Sequence, residues 1–315
     1  MKPTKRTRRL ASVTAGLASL ALLATACGGD GGSGLAGGGD EGSGQGGDKQ
    51  IEIALIPWEE AIATTNMWKV LLEELDYEVT ITEVDVAPMY QGVANGDVDM
   101  FLDTWLPLTH ADYWEEYGDK VEDLGAWYDN AVLTLTVPSY VDEVDSIADL
   151  ADNADLFGGR IVGIESGSGL VRTTKEEAIP TYGLDDYELI ESSTAAMLAE
   201  LDAAIADEEP IVVTLWRPHI AYAQYDLKDL EDPEGAMGGA EEIHAVGRAG
   251  FSEDFPELAE WLGNFELSDD ELSSLEQAVL ADHEDDPEAG AREWLAANPE
   301  FIERTLGEAG ADLEF

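Results

Sequence analysis

Ile51-Glu52-Ile53-Ala54-Leu55-Ile56-Pro57-Trp58 opens the part of the chain whose pattern decides the fold. An apolar run interrupted only by Glu52 reads as a strand. Beyond it, Met67, Val70, Leu71 and Leu75 recur at helical spacing and predict a helix over 61–75. Outward from there the two patterns alternate. Val79, Ile81 and Val84 mark a strand over 77–86, a short helix over 89–95 stops at Gly96, and Met100-Phe101-Leu102 is a buried strand that ends at Asp103-Thr104-Trp105. Strands over 131–137, 160–164, 187–191 and 211–215 and helices over 170–182 and 195–206 continue the alternation. After Phe255 the pattern becomes helical, over 257–262, 269–282, 287–297 and 299–306, with Ser268 and Glu271 spaced as a capping box. Alternation of this kind builds sheets covered by helices. The expected fold class is therefore α/β with two lobes: residues 49–137 together with 241–315 form lobe 1, and 138–240 form lobe 2.

Composition narrows the partners. The 315 residues include 68 acidic and 16 basic side chains, a formal charge of -52. Nucleic acid is held by Lys and Arg on phosphates, so no nucleic-acid partner is expected, and an anionic lipid surface is disfavoured for the same reason. Acidity here is not disorder, because 44% of the residues are hydrophobic and 8 Trp, 10 Tyr and 7 Phe can fill cores.

The first 48 residues read differently. Lys2, Lys5, Arg6, Arg8 and Arg9 precede an apolar run over 10–26, and no acid occurs before Asp30. That is the pattern of a secretory signal peptide, spanning 1–27. Ala24-Thr25-Ala26-Cys27 resembles the bacterial lipobox, with Ala24 where Leu is usual, and Cys27 is the lipidation candidate. As the single cysteine of the chain it excludes an internal disulfide. Residues 28–48 are mostly Gly, Ser and Asp and predict a flexible tether. Together these features predict an exported domain, lipid-anchored to the outer face of the cell membrane. Without the five basic residues of the signal, 11 remain against 68 acids, a net of -57. Such a skin keeps a protein soluble at high salt and suggests a salt-loving bacterium.

The sequence carries no phosphate-binding glycine motif, no His-Glu-x-x-His and no Gly-x-Ser-x-Gly, and His110, His219, His244 and His283 are far apart. No enzyme activity, metal or cofactor is expected. The tryptophans are more telling. Trp58, Trp105 and Trp216 each stand at the C-terminal end of a strand that reads as buried, which is where open α/β sheets hold ligands. Indole faces lining one cleft attract a cation and suit quaternary ammonium groups. Packing of each loop against the core is the alternative. Trp68, Trp114, Trp127, Trp261 and Trp294 fall in helices or loops and are assigned to packing.

Four segments in order, Ile56-Pro57-Trp58-Glu59-Glu60-Ala61-Ile62-Ala63, Asp103-Thr104-Trp105-Leu106-Pro107-Leu108-Thr109-His110, Gly163-Ile164-Glu165-Ser166-Gly167-Ser168-Gly169-Leu170 and Trp216-Arg217-Pro218-His219, resemble the glycine betaine/proline betaine-binding proteins of ABC importers. The resemblance covers nearly all of the chain after the tether. It implies a type II periplasmic-binding-protein fold with the ligand in the cleft between lobes. It also implies a cage for trimethylammonium made by Trp58, Trp105 and Trp216, and carboxylate contacts from His110 and from the backbone N–H groups of Gly169 and Leu170. Implied partners are glycine betaine or a related quaternary ammonium zwitterion and the permease and ATPase subunits of the importer. Choline or carnitine in the same fold is the alternative. A helix starting near Leu170 would aim free N–H groups and a positive dipole end at the cleft, in keeping with that assignment.

Overall fold

The computed structural model describes residues 49–315. The segments read as signal peptide and tether, with Cys27, lie outside the described residues.

The chain begins with β1 (Gln50–Leu55), α1 (Glu59–Glu74), β2 (Glu78–Glu83), α2 (Val86–Asn95), β3 (Met100–Leu106), α3 (Ala111–Tyr117) and β4 (Val121–Pro138). Next come β5 (Arg160–Val162), α4 (Gly169–Thr173), which runs through a π turn into α5 (Ile179–Tyr182), β6 (Glu188–Ile190) and α6 (Thr194–Ala206). Then follow β7 (Val213–Arg217), α7 (Ala221–Gln224), β8 (Leu227–Asp229) and β9 (Glu241–Arg248). Helices α8 (Phe251–Asp254), α9 (Pro256–Gly263), α10 (Asp269–Glu276), α11 (Pro287–Ala297) and α12 (Pro299–Leu306) complete it.

Local chemistry accounts for the boundaries. Gly96, at φ 75°, ends α2 with its N–H donating to Gly92 and Val93 carbonyls, a left-handed cap that costs glycine little. The Ser268–Glu271 capping box is formed at the start of α10.

The strands line up as β2-β1-β3-β9-β4-β7-β5-β6. Two parallel groups, β2-β1-β3 and β7-β5-β6, flank antiparallel β9 and β4. β4 belongs to both halves. Its part up to Ala131 pairs with β9, and from Val132 to Pro138 it pairs with β7 and β8. The chain thus leaves the first half along β4 and returns between β8 and β9. Helices α10 and α11 pack on α1, so the C-terminal segment covers the first half. Buried β1, β3 and α1 side chains, with Trp68 and Trp127 fully enclosed, form the core there.

Several elements differ from the sequence expectation. β9, central in the sheet, carries Glu241, Glu242, His244 and Arg248, and its charges hide its buried alternate face of Glu241, Ile243 and Ala245. β4 begins ten residues before 131, because register shifts around Gly125, Tyr128 and Ala131 break its alternation. β3 runs longer than predicted and β7 lies two residues later than predicted, so that Trp105 and Trp216 lie inside strand ends rather than after them.

Candidate functional site

The two tryptophans on strands sit at matching corners. Trp105 is followed by a cis Leu106–Pro107 bond and Trp216 by a cis Arg217–Pro218 bond. Trp58 stands at the N-cap of α1, separated from β1 by Ile56 and Pro57. All three indoles are at least nine-tenths buried. They wall a small cavity together with Leu133, Ile164 and Thr109. Gly169 and Leu170 face the same space, so the structure brings together five of the six residues that the sequence assigns to ligand binding.

Each indole N–H donates to a carboxylate. Trp105 Nε1 donates to Asp103 Oδ1 at 2.8 Å, Trp216 Nε1 to Glu60 Oε2 at 2.8 Å and Trp58 Nε1 to Glu165 Oε2 at 3.4 Å. The last two join residues of opposite sheet halves. Glu165 is held in turn by the backbone N–H and hydroxyl of Thr194. These bonds fix the indole edges at the cavity.

His110 lies behind this wall. Its ring stacks on Trp58 at 5.8 Å and 14°, with Tyr90 and Tyr113 edge-on to it. Nδ1 accepts the backbone N–H of Trp105 at 2.9 Å, so the proton of the neutral ring is on Nε2. Burial, with the Arg172 guanidinium nearby, pushes the pKa down to about 3, which keeps the ring neutral at physiological pH. Nε2 is buried with no partner. His110 is not in the cavity wall itself, in contrast to the five residues above.

The glycine-rich turn approaches from the other side. Ser168 caps α4, accepting from Val171 N–H at 3.2 Å, which leaves the N–H groups of Gly169 and Leu170 without intrahelical acceptors. A Cβ at position 169 would stand 1.9 Å from the Thr109 carbonyl oxygen, so only glycine permits this approach to the residue beside His110. Arg172 Nη2 donates to Leu108 O at 2.9 Å and Tyr113 OH to Gly167 O at 3.0 Å, tying the turn to the loop after β3.

Sequence reasoning missed three contributors. Glu60 and Ser168 line the cavity, and Glu241 anchors the loop below it by accepting from the N–H groups of Leu108 and Thr109. The Glu-Glu pairs at 59–60 and 241–242 were the available signal, since a carboxylate within an apolar strand or beside a tryptophan needs a partner. His219, left out of the site, is buried edge-on against Trp216, and Arg217 pairs with Asp229 at 2.6 Å as a structural bridge.

A family model for the substrate-binding domain of the ABC-type glycine betaine transport system matches residues 49–297. The chain belongs to this family, and its fold is the two-lobe α/β fold of periplasmic binding proteins. It is similar to the glycine betaine/carnitine transport binding protein GbuC of Listeria monocytogenes, 40% identical over 146 residues, which are 45% of this chain and 47% of that protein. The match thus spans about half the length of that relative. Among solved structures it is similar to lactococcal OpuAC in a closed-liganded conformation with glycine betaine, with TM-score 0.75 and 33% identity over 82% of this chain and 100% of that one. It is also similar to an ABC-transporter choline-binding protein in complex with choline, with TM-score 0.75 and 28% identity over 85% and 95%. Among the described residues no helix is long and apolar enough to cross a membrane, and no cluster suits a metal ion.

Proposed function

We propose that the protein captures glycine betaine, or proline betaine, for an ABC importer and presents it to the permease in the closed form. The observation that carries this reading is the pairing of an indole-walled cavity with donors that have no acceptor beside it. Trp58, Trp105 and Trp216 offer faces to a trimethylammonium group, which donates no hydrogen bond and is attracted by the ring quadrupole. His110 Nε2–H and the N–H groups of Gly169 and Leu170 offer donors to a carboxylate. No bond is made or broken. The ligand bridges the halves, and closure follows because only the closed form supplies every contact.

A second reading, choline or carnitine, is favoured by the similarity to a choline-binding protein and to GbuC. Choline keeps the cationic head and lacks the carboxylate, so it leaves those donors unmatched. Lobe 1 is assigned to 49–137 with 241–315 and lobe 2 to 138–240; β4 passes between them, and its change of partner after Ala131 puts the crossing about six residues earlier than that boundary. Export, anchoring through Cys27 and service in osmoprotection complete the reading, and the acidic skin fits a saline environment. Isothermal titration decides the ligand. Glycine betaine should bind with measurable heat and more tightly than choline; no heat at millimolar glycine betaine would sink the proposal.

A further inference from the structure

Beneath the tryptophan cavity lie carboxylates that ligand contact alone does not explain. Glu60, 1% exposed, faces the cavity from α1 and accepts from Trp216 Nε1. Asp103, 0% exposed, sits two residues before Trp105 on β3 and accepts from its Nε1, while its second oxygen, Oδ2, is buried with no partner. Among the described residues neither carboxylate has a basic side chain in ion-pair contact. Two buried acids without a cation are expensive for a folded chain. Bracing an indole does not call for charge, because an amide oxygen accepts an N–H equally well.

We propose that Glu60 and Asp103 are specificity-determining residues whose negative charge makes the cavity choose a cationic head over a neutral group of the same shape. They act in two ways. Their charge attracts the ligand cation directly, from buried positions at an apolar-walled cavity where the field is weakly screened. Each also accepts an indole N–H, which draws the ring dipole toward the acid and enriches the face turned to the ligand. Burial, and for Glu60 also the charge of Asp103, raises both carboxyl groups above the usual range, Asp103 to about 7. A cation in the cavity favours the ionised forms and offsets the cost of burying them.

The inference rests on the proposed ligand class, so its test separates the two. Glycine betaine is compared with 3,3-dimethylbutanoate, in which carbon replaces nitrogen and the carboxylate is kept. Absence of glycine betaine binding to the wild type overturns both readings. Given binding, Glu60→Gln and Asp103→Asn, which keep an acceptor for the indole, should each weaken glycine betaine by roughly tenfold to a hundredfold and leave the neutral-headed analogue unchanged. An equal loss of both ligands means that the acids only brace the indoles, and unchanged affinities mean that they do neither; each result overturns the charge role while leaving the betaine reading intact. Should the variants fail to fold, the wild type provides the measurement. Its preference for glycine betaine over the analogue should fall between about pH 8 and pH 6 as Asp103 gains its proton, and a constant preference overturns the inference. The other titratable groups facing this region are Glu59, Glu165, Glu276, His219, Arg172 and His110, and the last remains neutral throughout that range.

Discussion

The corners after β3 and β7 are built alike and finished differently. Each has a buried tryptophan at the strand end, a cis X–Pro bond one residue later, and a buried histidine just beyond. In each, the histidine Nδ1 accepts a backbone N–H: His110 from Trp105 at 2.9 Å, His219 from Ala221 at 3.0 Å. The difference is at Nε2. That of His219 lies 3.1 Å from a Glu59 carboxylate oxygen, though not in line for a hydrogen bond. Among the described residues that of His110 has no carboxylate in ion-pair contact and no hydrogen-bond partner, and its ring packs against Trp58, Tyr90 and Tyr113. The same corner therefore serves two ends. One histidine stands beside the protein's own Glu59 carboxylate and packs on Trp216, and the other has a buried donor that the proposed function gives to the ligand carboxylate.

The two tryptophans test what the corners share. Trp105→Ala and Trp216→Ala each remove a large buried face together with its cation attraction. Together these are worth on the order of 3 kcal/mol, or a hundredfold or more in glycine betaine affinity by calorimetry. Similar losses at both positions are expected, since both rings wall the same space. A loss confined to one would mean that the other only packs its corner.

The first corner also carries opposed titrations. Asp103 is raised to about 7 by burial, well above the range of an unfolded chain, so its contribution to stability is full at acid pH and is lost as pH rises from about 4 to 7. His110 is held down to about 3 by burial, so its contribution is full above about 6.5 and is lost as pH falls toward 3. In the ligand-free protein, Asp103→Asn should therefore gain on the wild type as pH rises across the upper window, by an amount on the order of 1–4 kcal/mol. His110→Asn should gain on it as pH falls. Thermal melts at several pH values read both, and parallel curves for wild type and either variant would refute the corresponding shift.

How far these features are legible in sequence depends on whether their reason is local. The βα alternation, the capping box at Ser268 and the C-cap at Gly96 rest on neighbours a few residues away, and each was readable. The three tryptophans and the glycine turn could be named as site candidates because a strand end, or a helix start, aims them. β9 was not legible, because its charged residues are buried or paired by partners from distant parts of the chain. Glu241, for example, is satisfied by the N–H groups of Leu108 and Thr109, over 130 residues away. Nor could sequence show that Glu60 crosses the cleft to Trp216, or that a side chain at 169 would strike the Thr109 carbonyl. Those contacts join segments far apart in the chain.

The difference at Nε2 is tested by the histidines. On the proposed function His110→Ala deletes a donor to a charged acceptor, worth about 1.5–3 kcal/mol, and should weaken glycine betaine by roughly ten- to a hundredfold while changing choline much less.

His219→Ala gives the smallest effect and the sharpest contrast. It removes an edge-on partner of Trp216, at 4.5 Å and 79°, an aromatic pair worth about 0.5–1.5 kcal/mol. It also removes the acceptor for Ala221 N–H. Both losses belong to folding and should appear as a lower melting temperature. Affinity should change by no more than a few-fold, because Trp216 remains fixed through Nε1 on Glu60, on the opposite edge of the cleft. Glycine betaine and choline should be affected alike, since His219 has no carboxylate to meet. If His219→Ala instead weakened glycine betaine selectively and as strongly as His110→Ala, the free Nε2 would not be what distinguishes the corners, and the carboxylate would have to be sought on the β7 side.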